Sequence, residues 1–281
     1  MNKTDEQIKE EIRTGYADIA TGRQFSCCCS SCCNDEDINH TEFEQLAKSL
    51  GYDKKDIANL PEGANMGLSC GNPLAIAALQ EGQVVLDLGS GGGFDVFQAG
   101  EKVKAAGLVI GVDMTSEMIS KARKNAEHYR QRTGLDNVEF RLGEIEHLPV
   151  SDTSVDVVLS NCVINLSTAK QQVWHEVFRV LKPEGKVSVS DLALLKPLPD
   201  NIREMVAALV GCIAGAVLMD ETDTMLKRAG FTSIKLTPKP DYIRVMQACN
   251  ESLFQEIVAA LPKGEELADY MSSISIEARK G

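Results

Sequence analysis

Two groups of residues in this chain have types and spacings suited to chemistry: a glycine loop behind an acid, and a set of cysteines. Val84-Val85-Leu86-Asp87-Leu88 is a β-branched apolar run, and Gly89-Ser90-Gly91-Gly92-Gly93 separates it from a helical pattern that starts near Phe94. Glycines at the end of a strand let the backbone approach a ligand that any Cβ would push away. There are nine cysteines in all. Cys27, Cys28, Cys29, Cys32 and Cys33 crowd into one polar segment, while Cys70, Cys162, Cys212 and Cys249 stand apart. An odd number cannot pair completely, so in a reducing compartment these read as ligands or redox thiols.

The acids near the glycine loop narrow its ligand. A dinucleotide fingerprint, G-x-G-x-x-G, needs its third glycine where this chain has Phe94. The spacing present is Asp87-x-Gly89-x-Gly91-x-Gly93, which argues against NAD. Asp113 ends the second predicted strand, where a carboxylate can accept hydrogen bonds from ribose hydroxyls. Gly143-Glu144-Ile145-Glu146 ends the third. A scaffold whose glycines only make a tight turn would leave those matched strand ends without a purpose.

The lone thiols suggest what lies opposite. The fourth predicted strand ends in Ser160-Asn161-Cys162, placing a thiol where such folds hold the reactive end of a ligand. Taken alone, Cys162 would be a small buried hydrophobe. Cys70 occupies a Gly-rich turn just before the glycine-loop strand, and Cys212 lies on an apolar helix beyond the fifth strand. Three thiols from three elements can converge over one site. Zinc is the bland reading, but Cys29-Ser30-Ser31-Cys32 has no second matching pair or histidine after it. Three isolated thiolates suit a trigonal, thiophilic centre with a lone pair, such as trivalent arsenic.

The elements that must position these groups alternate as βαβ units should. Strands are predicted at Val84–Leu88, Leu108–Asp113, Val138–Leu142, Val155–Ser160 and Lys186–Leu192. Helices fill the gaps, and Leu181–Gly185 forms a Pro/Gly turn. Thr4-Asp5-Glu6-Gln7 reads as a capping box, and Thr41 as the start of a second helix after an irregular cysteine segment. Asn72 and Pro73 suit the start of a short helix. Ser233–Thr237 and Ser273–Ala278 are the last strands, with helix expected over 240–272. Three parts follow: an N-terminal helical, cysteine-rich extension (1–65), a Rossmann-like ligand domain (66–195), and a C-terminal substrate-capping part with the final sheet strands (196–281).

The totals exclude other tasks. A net charge of −12 argues against binding a phosphate backbone. The apolar run Ala207–Met219 is too short to span a bilayer, and the polar start Met1–Glu6 is no signal peptide. No nucleic acid and no membrane are expected as partners. A cytoplasmic monomer is expected.

The chain resembles the arsenite S-adenosylmethionine methyltransferases over nearly its whole length. The residues that carry the likeness are Asp87–Gly93, Ser69-Cys70-Gly71-Asn72-Pro73, Ser160–Leu166 and Gly211-Cys212-Ile213. The resemblance implies a class I methyltransferase fold: an α/β sheet of seven strands with the last antiparallel, helices on both faces, and a reduced C-terminal cap. It implies S-adenosylmethionine contacts from Asp87, Gly89, Ser90, Gly91, Gly93, Asp113, Met114, Glu144, Ile145 and Asn161. It further implies As(III) held by Cys70, Cys162 and Cys212, with an N-terminal thiol, Cys32 or Cys33, sharing in a redox disulfide. An external reductant, thioredoxin or glutathione, would then reset the enzyme. Two other readings remain open at this stage. One is a methyltransferase of a small organic acceptor such as a quinone precursor or sterol carbon, and the other is a cysteine-rich metalloid-binding protein.

Overall fold

A computed structural model describes residues 4–23, 36–207, 213, 215–239, 242–243 and 252–281. Seven strands form one sheet in the order β3-β2-β1-β4-β5-β7-β6. They are β1 (Val84–Leu88), β2 (Leu108–Asp113), β3 (Val138–Leu142), β4 (Val155–Asn161), β5 (Leu181–Leu194), β6 (Phe231–Lys239) and β7 (Met271–Lys280). β1 to β5 run parallel, and β7 pairs antiparallel with both β5 and β6. The expected class I sheet is therefore present.

Period-two alternation sorts the apolar residues onto the two faces. Leu86, Leu88, Ile110, Val112 and Val158 pack with Trp174 and Val177 of α7 (Lys170–Val180) and Leu226 of α9 (Met219–Ala229). Val85, Val109, Val157 and Leu159 face the opposite way. There they meet Phe97 of α5 (Phe94–Val103) and Ile119 of α6 (Ser116–Thr133), with Tyr52 and Ile57 from the N-terminal part. A third cluster sits over the carboxyl ends of β4 and β5. It gathers Cys70, Cys162, Leu192 and Met271 with Ile202 of α8 (Asp200–Ala207), Tyr242, Ile243 and Ile257 of α10 (Ser252–Ala260).

Helix starts follow local chemistry. Thr4 caps α1 (Asp5–Ala20) with a reciprocal box: its hydroxyl accepts from Gln7 N–H, and the Gln7 side chain accepts from Thr4 N–H. Asn72 caps α4 (Pro73–Ala77) through the Ala75 N–H, with Pro73 in the first helical position.

Some boundaries differ from the sequence expectations. α2 starts at Glu36, so Thr41 lies inside it rather than opening it, and α3 is the short Lys54–Ala58. The turn expected at Leu181–Gly185 is drawn into β5, where the pairing skips from Val155↔Leu181 to Val157↔Lys186. Glu184 takes φ +62 in that bulge, which lets the chain stay paired at both ends. β7 begins at Met271, which shortens the helical stretch expected to reach residue 272. The cysteine cluster at 27–33, Cys212 and Cys249 lie outside the described residues.

Candidate active site

Strand order brings the glycine loop and the thiols together. β1 lies between β2 and β4, the point at which the connections reverse direction, and such crevices open at the carboxyl ends of the strands. Leu88 of β1 is in register with Ser160 of β4. The chain segments that follow, Gly89–Gly93 and Asn161–Val163, therefore leave the sheet side by side. Gly89 takes φ +64, and a Cβ there would lie 2.3 Å from Val163 Cγ2. The glycine is required for the two segments to touch.

A cleft opens at this point. Gly89, Gly91, Asp113, Met114 and Ile145 line one side, Asn161, Cys162 and Val163 another, and Lys9 and Tyr16 of α1 close over it. A second cavity of about 420 Å³ shares Gly89, Gly91, Leu68 and Asn161 with the first. Its other walls include Asp87, Ser90, Asp95 and Ser69. Ser90 Oγ is buried and has no hydrogen-bond partner among the described residues.

The acids of the two cavities are held differently. Asp113 accepts Gly91 N–H at 2.9 Å and Thr115 N–H at 2.8 Å, which fixes its carboxylate against the loop. Burial nevertheless raises its pKa, since those backbone bonds offset only part of the desolvation. Asp87 is buried, and burial with the charges of Asp95 and Asp113 pushes it well above the usual carboxylate range. Burial lifts Asp95 to about 6 against the opposing bonds from Asn161 and Tyr52. Tyr52 O–H donates to Asp95 Oδ1 at 2.8 Å, and Asn161 Nδ2 donates to the Tyr52 oxygen at 3.0 Å and to Asp95 Oδ2 at 3.2 Å.

Cys70 and Cys162 meet as a disulfide across 92 positions of sequence, with Cα atoms 5.9 Å apart, inside the bridging range. Their sequence context reads as free thiols, and the fold brings them into bonding contact instead. Three ties fix the pair. Cys162 N–H donates to the Ser190 carbonyl at 2.8 Å, Cys70 N–H to Asn161 Oδ1 at 3.1 Å, and Ser273 Oγ to the Cys70 carbonyl at 2.7 Å. Cys162 has φ +58, a conformation that few non-glycine residues adopt. Both residues are buried, Cys70 completely.

Comparison with known proteins decides the family. A methyltransferase domain model matches residues 79–230. An arsenite methyltransferase of Halobacterium salinarum is 44% identical over 99% of this chain and 68% of its own length. The chain belongs to the arsenite methyltransferases. Another member, from Aquipseudomonas alcaligenes, is 40% identical over 63% of this chain and 51% of its own length. The mouse arsenite methyltransferase is 34% identical over 66% of this chain and 50% of its own. The aligned region is thus about half the length of those two relatives. The crystal structure of an arsenic(III) S-adenosylmethionine methyltransferase from Chlamydomonas reinhardtii superposes with a TM-score of 0.61 at 30% identity, covering 84% of this chain and 72% of that one.

Within this arsenite methyltransferase fold, the motif residues separate into those that line the cavities and those that do not. Asp87, Gly89, Ser90, Gly91, Asp113, Met114, Ile145 and Asn161 line one cavity or both. Gly93 sits behind the loop, where a Cβ would fall 2.4 Å from Phe97. Glu144 is not among the lining residues. Its carboxylate takes Lys9 Nζ at 2.8 Å and Arg13 at 3.5 Å, which holds it below its ordinary pKa, and Glu146 lines the cleft in its place. Lys9 also reaches Glu146 at 3.4 Å.

Tyr52, Asp95, Lys9, Glu146 and Asp191 were not among the site residues expected from the sequence, although Glu146 belongs to the Gly143–Glu146 strand end. Lys9 and Asp95 come from helices, Asp191 from a strand, and Tyr52 and Glu146 from loops, and only packing brings them together at the site. Asp95 also had a local signal, an acid two residues past the last glycine. His128, His147 and His175 are exposed, as their polar contexts suggest.

Proposed function

We propose that this chain transfers methyl groups from S-adenosylmethionine to trivalent arsenic held by thiolates of Cys70, Cys162 and Cys212. The observation that carries the reading is the meeting of the Cys70 and Cys162 sulfurs beside the glycine-loop cleft, with Cys162 itself part of the cleft wall. A methyl acceptor held there would face the donor.

The residues present fit the donor. The Gly89 and Gly91 backbones form a cradle without side chains, the buried hydroxyl of Ser90 lacks a partner among the described residues, and carboxylates sit at both ends. In this reading Asp113 takes the ribose hydroxyls, Met114 and Ile145 the flat faces of the base, and Asp87 with Asp95 and Asn161 the amino-acid end. When bound, the cofactor supplies an electrophilic methyl on a sulfonium.

The chain's own work is to present the acceptor. Soft thiolates select As(III), whose lone pair then points away from the three sulfurs. Both Cys70 and Cys162 are buried, which keeps their sulfurs out of bulk solvent. Methylation of the lone pair formally raises arsenic to As(V). Two thiolates return it to As(III) by joining in a disulfide, and the Cys70–Cys162 bridge is one such oxidised pair. An N-terminal thiol, Cys32 or Cys33, shares in that exchange. A dithiol of the thioredoxin class, or glutathione, then restores the thiols. A monomer in a reducing, cytoplasmic setting suits this cycle. Among the described residues no helix is long and apolar enough to cross a membrane.

The test is direct. Purified protein incubated with arsenite, labelled S-adenosylmethionine and a dithiol reductant is expected to yield labelled methylated arsenicals. No labelled arsenical, with cofactor binding intact, would overturn the reading.

A further inference from the structure

Asp191 stands at this site without a part in the chemistry described above. It follows Ser190, the β5 partner of Asn161, and so lies beside Cys162. A carboxylate oxygen of Asp191 and the sulfurs of Cys70 and Cys162 all lie within 4.8 Å of one another, and all three residues are buried. The carboxylate is fixed by Asn165, whose Nδ2 donates to Oδ1 at 2.9 Å and whose N–H donates to Oδ2 at 3.2 Å. Leu192 N–H adds a bond to Oδ1 at 2.8 Å. These donors are neutral. Among the described residues no Lys, Arg or His reaches ion-pair distance of Asp191, and Lys170 donates to the Ser167 carbonyl instead.

The positive charge of Lys170 favours the Asp191 carboxylate only from a distance, so the buried group has no direct ion-pair partner among the described residues, a costly arrangement unless a cation can enter. Reduction of the neighbouring disulfide adds two sulfur donors. Two thiolates and one carboxylate match the mixed donor sets that hold tetrahedral zinc, with the fourth position left to water. Trivalent arsenic, by contrast, makes no comparable use of a hard oxygen donor.

We propose that reduced Cys70 and Cys162, together with Asp191, form a site for a thiophilic divalent cation of the zinc(II) and cadmium(II) class. The proposal rests on the reading of Cys70 and Cys162 as a functional thiol pair. The site opens when a dithiol gives two electrons and two protons to the disulfide and leaves as its own disulfide. As the cation binds, the two thiols release their protons to solvent, and Asp191 binds as the carboxylate. Because the cation takes the two sulfurs that arsenic needs, it blocks methyl transfer competitively.

The test uses the full-length chain with every cysteine except Cys70 and Cys162 replaced by serine, reduced with a phosphine that is then removed. Cadmium(II) is titrated without arsenic, and thiolate-to-cadmium charge-transfer absorption reports sulfur ligation. Phenylarsine oxide, whose arsenic binds a dithiol, reports the sulfur pair independently. Expected is one cadmium per chain with the absorption of two thiolates. Asp191→Asn is expected to weaken cadmium binding by roughly tenfold or more, the scale of effects close to metal sites, and to leave phenylarsine oxide within about twofold. Unchanged cadmium affinity in that variant, or equal weakening of both probes, overturns the proposal. Binding of phenylarsine oxide without cadmium overturns it while the thiol pair stands, and binding of neither removes both. Should Asp191→Asn fail to fold, Asp191→Cys is expected to raise the absorption per bound cadmium by about half, as a third thiolate joins. Unchanged intensity there also overturns it.

Discussion

Asn161 holds the Cys70 turn with both ends of its amide: Oδ1 accepts the Cys70 N–H at 3.1 Å, and Nδ2 donates to the Gly71 carbonyl at 3.0 Å. The same Nδ2 reaches the Tyr52 oxygen and Asp95. One side chain at the end of β4 thus ties together a thiol turn, the glycine-loop helix and the N-terminal part.

Tyr52→Phe tests that link with the smallest change. The ring and its edge contact with Phe94 remain, but Asp95 and Asn161 each lose a partner. Unfolding free energy in urea is expected to fall by about 1–2 kcal/mol, the cost of leaving buried polar groups short of a bond. Methyl transfer to arsenite is expected to slow several-fold, since the Asn161 amide is no longer held in one orientation. An unchanged unfolding midpoint and rate would show that Tyr52 does not hold it.

Cys162→Ser separates donor binding from acceptor binding. Serine keeps the shape of the cleft wall but is a poor ligand for a soft centre. Methylated product is expected to disappear, while calorimetry finds S-adenosylmethionine bound with an affinity close to that of the parent. Full activity in this variant would rule out the thiolate ligand.

Gly89→Ala reaches the donor side. A Cβ at φ +64 carries backbone strain and meets Val163 on both methyl groups, at 2.3 and 2.6 Å. The expected cost is about 1–3 kcal/mol in stability, with at least a comparable loss in cofactor affinity. Thermal unfolding and calorimetric titration read the two separately.

Lys9→Met tests whether α1 is a true wall of the cleft. Lys9 is only 17% exposed, and it spans Glu144 and the buried Glu146. Its loss leaves Glu146 with the Ser167 hydroxyl as its remaining close donor among the described residues. A loss of about 1–3 kcal/mol is expected, with faster amide hydrogen exchange confined to α1. Exchange unchanged in α1 would mean that the helix is held without the Lys9 ion pairs.

Asp95 makes a prediction about pH. Its pKa rises from 3.8 to about 6 on folding, with burial the main cause. Between those values the folded chain binds more protons than the unfolded one, so this group lowers stability as pH rises through the window. It contributes no penalty below about 4 and its full penalty above about 6. Asp95→Asn is expected to remove that slope: the difference in melting temperature between variant and parent should shift in favour of the variant from pH 4 to pH 7. Parallel curves would contradict the raised pKa.

Much of this was written locally. Val84–Leu88, Leu108–Asp113 and Val138–Leu142 are strands at the residues where alternation and β-branching put them, because burial on a sheet face demands that period. The glycine spacing behind Asp87 marks the ligand loop for an equally local reason: only glycine adopts those backbone angles without strain. Thr4 and Asn72 cap the helices they precede because capping needs only neighbours in sequence. The tertiary structure alone decided the rest. Cys70 meets Cys162 because β1 and β4 are adjacent and Ser273 of β7 ties the Cys70 turn down, contacts made across long stretches of chain. Lys9 takes up Glu144, and Asp191 arrives beside two sulfurs, because helix docking and strand register are set by the whole core. Spacing within a motif cannot encode which distant side chain will complete it.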